Sequence, residues 1–270
     1  MNNRYKTAKN LFIDSIDVDD YIELDASVAA YKQLEASLAK PLKMLLLFGK
    51  PGTGKSILLN TISQKLKYQK EIYYFDTPSN QDKEFFTKFF YILTKKELPE
   101  NSDINFSALI EFCQGLRDKR EIIILLDEAQ LYSSEMMEKI RLLSDTRVIK
   151  FVISLHKTED EDLIAKEHFK SRIWDVIELK NANLENQMTY IHKKLLKENL
   201  FEIADSIDIR AMKLIHQFTK GNYRECNKLM FTLFEIADYY YNNEPLKMDT
   251  NSFPTRIIEM AALKLGYIHA

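Results

Sequence analysis

The chain has 270 residues, 46% hydrophobic and 29% charged, enough for one large domain or two modest ones whose core needs no disulfide or metal support. Lys plus Arg total 38 against 40 Asp plus Glu, a formal charge of −2, which excludes a surface basic throughout, of the kind that coats nucleic acid or anionic lipid, and leaves room only for a local basic patch. Two cysteines, Cys113 and Cys226, are too few for a disulfide framework and suit a reducing compartment.

The start of the chain, Met1-Asn2-Asn3-Arg4-Tyr5-Lys6, leads into no signal-like apolar stretch. Runs such as 44–48 and 122–126 are far shorter than the ~18 apolar residues a membrane helix needs, so the expected protein is cytoplasmic with no membrane-spanning segment. Glycine is scarce, six in all, and three of the six (Gly49, Gly52 and Gly54) fall within six positions, which marks that segment as the place where the backbone needs freedom.

Residues 44–48 form a continuous apolar run of the kind shown by a strand buried on both faces. It enters Gly49-Lys50-Pro51-Gly52-Thr53-Gly54-Lys55-Ser56, after which Ile57, Leu58, Leu59, Ile62 and Leu66 recur at helical spacing. Strand, glycine loop and helix is the context in which the GxxxxGK[ST] pattern acquires a mechanism. Backbone N–H groups curl around phosphates, and the helix N-terminus adds its positive end. In that arrangement Lys55 would reach the β- and γ-phosphates of a nucleotide and the Ser56 hydroxyl would bind Mg²⁺. An ordinary strand-to-helix turn would explain one glycine, not the whole pattern with both flanks.

Next come a strand at 72–76, a helix at 83–94, a polar link at 95–105 and a helix at 106–117. Residues 121–126 form a second buried strand, closed by Asp127 and Glu128. A strand interior accounts for the Ile/Leu run but not for two acids directly after it, because an unpaired buried charge is costly. If this strand lies beside the phosphate-loop strand, Asp127 stands where a Mg²⁺ partner is required and Glu128 can polarise a water for in-line attack. A helix at 134–144, a strand at 149–155, a helix at 163–169 and a strand at 176–179 follow. The alternation predicts a parallel sheet with helices on both faces.

Beyond residue 180 the strand pattern stops, and 184–199, 208–219, 223–241 and 255–265 carry apolar residues at helical spacing. The expectation is an α/β fold with a nucleotide-binding core over 1–180 and an all-helical lid over 181–270.

These motifs resemble the AAA+ branch of P-loop ATPases, with Walker A at 49–56 and Walker B ending at Asp127-Glu128. Within that branch the chain is similar to the general secretion pathway protein A (ExeA-type) family and the MSHA-pilus ATPases. The likeness runs through Asp127-Glu128-Ala129-Gln130, Arg141-Leu142-Leu143-Ser144, Ser171-Arg172-Ile173, Tyr190-Ile191 and Lys220-Gly221-Asn222-Tyr223-Arg224, and so covers most of 30–240. The resemblance implies ATP and Mg²⁺ as ligands. Gly49, Lys50, Pro51, Gly52, Thr53, Gly54, Lys55, Ser56 and Ile57 would hold the nucleotide, and Ser56 and Asp127 the metal. Among the catalytic set, Lys55 and Glu128 are joined by Arg172 as an arginine finger and Arg224 as sensor 2. For sensor 1 the fourth strand offers His156 or Lys157, of which His156 is chosen. The secretion protein's transmembrane helix and peptidoglycan-binding domain have no counterpart in this sequence, nor does its N-terminal Pro-Phe signature.

Trp174, Tyr239-Tyr240-Tyr241 and the aromatics of 85–91 read as core, and Met136 and Met137 as helix packing. The turn 117–120 and the acidic run 159–162 read as solvated, and the histidines and cysteines show no metal-ligand spacing. The expected activity is a Mg²⁺-dependent ATPase that self-associates into a ring or filament on ATP. It would support assembly of a type II secretion or pilus apparatus, touching the inner membrane only through partner proteins. The rival is a DNA-binding regulator of the transposition (TniB and TnsC) type, with a candidate basic stripe along Lys150, Lys157, Lys166 and Lys170.

Overall fold

The structure, a computed structural model, describes residues 4–78, 82–98, 105–156, 171–245 and 252–269. Its contacts fall into two compact units, one of residues 30–50 and 55–179, the other of 1–29, 51–54 and 180–270.

The first unit is built on a sheet of β1 (Met44–Gly49), β2 (Glu71–Phe75), β3 (Ile122–Leu126), β4 (Ile149–His156) and β5 (Ile173–Leu179). The strands are parallel, in the order β2-β3-β4-β1-β5. Because side chains alternate between faces, each central strand feeds two cores. Ile122, Ile124 and Leu126 pack on one face and Ile123 and Leu125 on the other; Phe151 and Ile153 oppose Val152 in the same way. Helices α4 (Asp82–Thr94), α5 (Phe106–Gly115) and α6 (Ser134–Asp145) cover the first face. The second is covered by α2 (Asp25–Leu38) and α3 (Lys55–Leu66). Met136 and Met137 are buried in the first core, as expected.

The condition placed on β3 is not met: β4 lies between it and β1. The register pairs Gly49 with His156 and Leu126 with Ile153, so the end of β4 separates the phosphate loop from the two acids. The short expected strand 176–179 begins three residues earlier, at Ile173, as the edge partner of β1. Trp174 and Val176 therefore lie on an edge strand and are 67% and 48% exposed, and Tyr91, Tyr239 and Tyr241 are exposed too, so these are not core residues; Phe85, Phe86 and Phe89 are. Arg120 is not a solvated turn residue either. Its guanidinium donates to the Leu93 and Ile92 carbonyls (2.6 and 2.8 Å) and to Glu71, closing the C-terminal end of α4. The expected helix at 163–169 and the acidic run 159–162 lie outside the described residues.

The second unit contains α1 (Arg4–Asn10), α7 (Leu184–Lys197), α8 (Phe201–Ser206), α9 (Ile209–Thr219), α10 (Tyr223–Asn243) and α11 (Thr255–Lys264). Side-chain oxygens of Asn183, Asp208 and Asn222 cap α7, α9 and α10, which explains where these helices start. The N-terminal residues, expected with the core, belong here by contact. Tyr5 and Phe12 stack near Phe234 of α10. Three lysines of α7 donate to main-chain carbonyls of the segment after α1: Lys194 to Leu11 (2.7 Å), Lys193 to Glu23 (2.7 Å) and Lys197 to Asp19. Lys194 is almost fully buried, and burial pulls its pKa below the usual lysine range.

Candidate nucleotide and metal site

The glycine loop leaves β1 at Gly49 and enters α3 at Lys55, with Gly52 and Gly54 at φ +80° and +93°, where a β-carbon is disfavoured. Lys55 is buried, and its Nζ donates to the carbonyls of Gly49 (2.8 Å) and Lys50 (3.2 Å), which fixes it against the loop it is expected to serve. Pro51, Gly52, Thr53 and Gly54 count with the helical unit. There Asn222 Nδ2 donates to the Pro51 carbonyl (2.7 Å) and Tyr223 N to that of Gly52 (3.1 Å). A β-carbon on Gly52 would come within 2.3 Å of Asn222 Oδ1 and 2.7 Å of Arg224 Cβ. Asn222 thus does more than cap α10, a role the sequence motif alone did not disclose.

At the end of β3, Asp127 is buried. Its Oδ1 accepts from Ser154 Oγ (2.8 Å) and from Glu128 N (3.0 Å), and its Oδ2 from the Tyr74 hydroxyl (3.1 Å). These donors are a serine, a tyrosine and a backbone amide, so the carboxylate is oriented without a cationic side chain against it. Neither Ser154 nor Tyr74 was singled out in the sequence. The signal for Ser154 was there, as a lone small hydroxyl inside the buried run 149–155; nothing in 71–75 marks Tyr74.

Glu128 sits at φ 50°, ψ 38°, in the left-handed region that costs a glutamate about 1 kcal/mol and that tends to persist at functional sites. His156 Nε2 donates to its Oε1 (2.8 Å) and Gln130 Nε2 to its Oε2, while Gln130 Nε2 also lies 3.3 Å from His156 Nδ1. The three side chains form a triangle around the Glu128 carboxylate. His156 is thus brought to Glu128 by the strand that separates β3 from β1; Lys157, its alternative, lies outside the described residues.

Arg172 is placed elsewhere. Arg172 precedes Ile173, which pairs with Met44, whereas Gly49 pairs with Leu179. Arg172 is therefore about 20 Å along the strand from its own phosphate loop. Its guanidinium holds Asp145 (3.0–3.1 Å), which also accepts from Lys43 (2.6 Å) and Arg141 (3.1 Å). Arg224, in the helical unit, donates from Nε to Asp14 (3.2 Å), and Asp14 also accepts from Asn227 (2.7 Å). Of the Arg141-Leu142-Leu143-Ser144 motif, Arg141 serves ion pairs with Glu138 and Asp145, and Leu143 and Ser144 are buried, so packing accounts for much of it.

Residues 40–162 match the family model described as an AAA domain. Among solved structures, Cdc6p from Pyrobaculum aerophilum superposes with a TM-score of 0.66 at 16% identity, covering 95% of this chain and 70% of that one. The Orc1 protein of Aeropyrum pernix, solved in complex with DNA, gives 0.65 at 14% identity, covering 95% and 69%. Domain III of the Thermotoga maritima replication initiation protein DnaA gives 0.53 at 17%, covering 93% and 95%. The chain has the P-loop AAA+ fold. No curated protein gives a significant match in sequence.

The residues of this AAA+ fold suit a nucleotide phosphate and a hard cation. The loop turns through Gly52 and Gly54 in positive-φ conformations that suit a backbone curled around phosphate, and the Ser56 hydroxyl and Asp127 carboxylate are oxygen donors of the type Mg²⁺ takes. Asp127, buried among neutral donors, is the carboxylate best suited to meet that charge. Among the described residues no helix is long and apolar enough to cross a membrane, and no group of three or more His, Cys, Asp and Glu is arranged to hold a metal.

Proposed function

We propose that this chain is a Mg²⁺-dependent ATPase that converts ATP to ADP and phosphate and self-associates when ATP is bound. The observation that carries the reading is the single sheet edge on which β1 ends at the glycine loop, β4 at His156 and β3 at Asp127 and Glu128. Gly49 to Ile57 hold the nucleotide, with Lys55 on its phosphates, and Ser56 and Asp127 hold the metal. A metal held there would neutralise charge on the phosphate oxygens. Glu128 takes a proton from water as the water oxygen bonds to the γ-phosphorus, and the bond from that phosphorus to the β–γ bridging oxygen breaks, leaving ADP. His156 and Gln130 orient the Glu128 carboxylate by the bonds described above. Arg172, remote from its own loop, is the residue offered to a neighbouring subunit's nucleotide in a ring or filament, and Arg224 is the cation of the helical unit beside Gly52. The test is Glu128→Gln, which should still bind ATP while hydrolysing it at least ~10²-fold more slowly; full turnover would remove Glu128 as the base.

For the process served, we infer assembly work on a type II secretion or pilus apparatus, on the strength of the Asp127-Glu128-Ala129-Gln130 and Lys220 to Arg224 likenesses. A DNA-binding regulator is the second reading, favoured by the similarity in fold to an Orc1 protein solved with DNA and to a Holliday junction branch migration motor, RuvB of Thermotoga maritima. The stripe proposed for it loses Lys150, which is buried and donates to the carbonyls of Leu38 (2.6 Å) and Lys40 (2.7 Å); Lys157, Lys166 and Lys170 lie outside the described residues. Duplex-DNA binding by the Glu128→Gln protein separates the two. Salt-sensitive binding that needs ATP supports the regulator. No binding at low salt by protein that oligomerises with ATP supports the assembly ATPase.

A further inference from the structure

The Tyr74 hydroxyl on β2 stands at the junction of two motifs to which it does not belong. It lies 3.1 Å from Asp127 Oδ2 and 3.4 Å from the main-chain carbonyl of Ser56, the two residues that supply oxygen to the metal in the reading above. A phenol has one hydrogen to give, and the carboxylate is the stronger acceptor, so the shorter bond to Asp127 dominates and the contact with Ser56 is secondary. On the other side of the same carboxylate, Oδ1 is held by Ser154 and by the Glu128 amide. With one oxygen fixed from β2 and the other from β4, the plane of the carboxylate cannot turn without breaking a bond. The ring itself packs against the core that contains Leu58, Leu59 and Leu125, so removing only its oxygen leaves the packing in place.

We propose that Tyr74 is a positioning residue for the metal: it fixes the orientation of the Asp127 carboxylate beside the start of α3, where Ser56 stands. The proposal rests on the ATPase reading and adds to it a third strand of the sheet. Partners of metal ligands commonly contribute about 10–100-fold to metal affinity, through orientation of the ligand.

The experiment uses the full chain, Mn²⁺ as an electron-paramagnetic-resonance probe and a fluorescent ADP, with the wild type, Tyr74→Phe and, as a second variant, Ser154→Ala, which removes the bond on the opposite oxygen. In Tyr74→Phe the Mn²⁺ dissociation constant in the ADP complex is expected to rise about tenfold. ADP binding in EDTA should stay at the wild-type value. Ser154→Ala should weaken Mn²⁺ in the same selective way. A merely structural role would weaken ADP binding with and without metal alike, and that result overturns the proposal, as does an unchanged Mn²⁺ affinity in Tyr74→Phe. Failure of the wild type to bind ADP under either condition is a different result: it removes the ATPase reading and the proposal with it.

Discussion

The two ends of the parallel sheet both carry charge, and they handle it in opposite ways. At the N-terminal end, charges are paired with one another: Arg172, Lys43 and Arg141 around Asp145, Arg120 with Glu71, and Lys150 with Glu121 and the carbonyls of Leu38 and Lys40. At the C-terminal end, Asp127 and Glu128 are held by a serine, a tyrosine, a glutamine, a histidine and a backbone amide. Paired charges are satisfied within the chain and read as structure. The acids at this end are fixed in place, among the described residues, without a lysine or arginine partner, which is the setting that metal and phosphate chemistry needs.

The largest effect expected from this contrast is at the C-terminal end. Glu128→Gln should lower ATP turnover by ~10²-fold or more with no loss of thermal stability, since the amide can keep one of the two bonds. An ATPase assay paired with calorimetric melting checks both halves; a protein that loses stability and keeps its turnover would reverse the assignment of the two ends. Arg172 sharpens the comparison because it is paired and is also assigned a role across subunits. Arg172→Ala should lower turnover of the assembled protein by at least ~10-fold and leave ATP binding intact. If it only lowers the melting temperature, Arg172 is one more structural pair.

Smaller effects belong to the N-terminal end. Arg120→Ala should destabilise the fold by about 2 kcal/mol, measured by urea unfolding, and leave ATP binding unchanged, because the arginine supports Glu71 and the end of α4 only. The hydrogen bonds from Arg120 are the main reason that Glu71 is held down to a pKa of about 2 from a usual value of 4.5. A lowered carboxylate pKa stabilises the fold above the unfolded value and loses that contribution as pH falls through the folded one. The Glu71 contribution should accordingly be complete above about pH 4.5 and vanish between there and pH 2. Acid unfolding of Glu71→Gln should lack that component. The smallest effect is His156→Ala, expected to change turnover several-fold through the Glu128 carboxylate while Tyr74→Phe and Ser154→Ala act on metal affinity.

Much of this end-to-end contrast was legible before any coordinates. The strand at 44–48, the glycine loop and the apolar run before Asp127 are local patterns, and their elements stand where periodicity put them. The three helices α9, α10 and α11 were legible from the spacing of their apolar residues. The short α8 was not, since six residues hold too little of a helical repeat. Trp174 misled because aromatic content says nothing of whether a strand lies at an edge. Arg120 and Lys150 misled because a charged residue read along the chain looks solvated, and the carbonyls that absorb it come from distant elements.

The amino-acid sequence alone determined that this chain carries a phosphate loop, two acids at the end of a buried strand, and a helical C-terminal region, because each is written in neighbouring residues and in the steric freedom of Gly52 and Gly54. Tertiary structure decided the rest. Strand order is set by packing over the whole sheet, and by inserting β4 between β1 and β3 it delivers Ser154 to Asp127 and His156 to Glu128. The same packing sets Tyr74 from β2 between Asp127 and Ser56, 53 and 18 positions away along the chain, a meeting that hydrogen-bond geometry can make and that local sequence cannot encode.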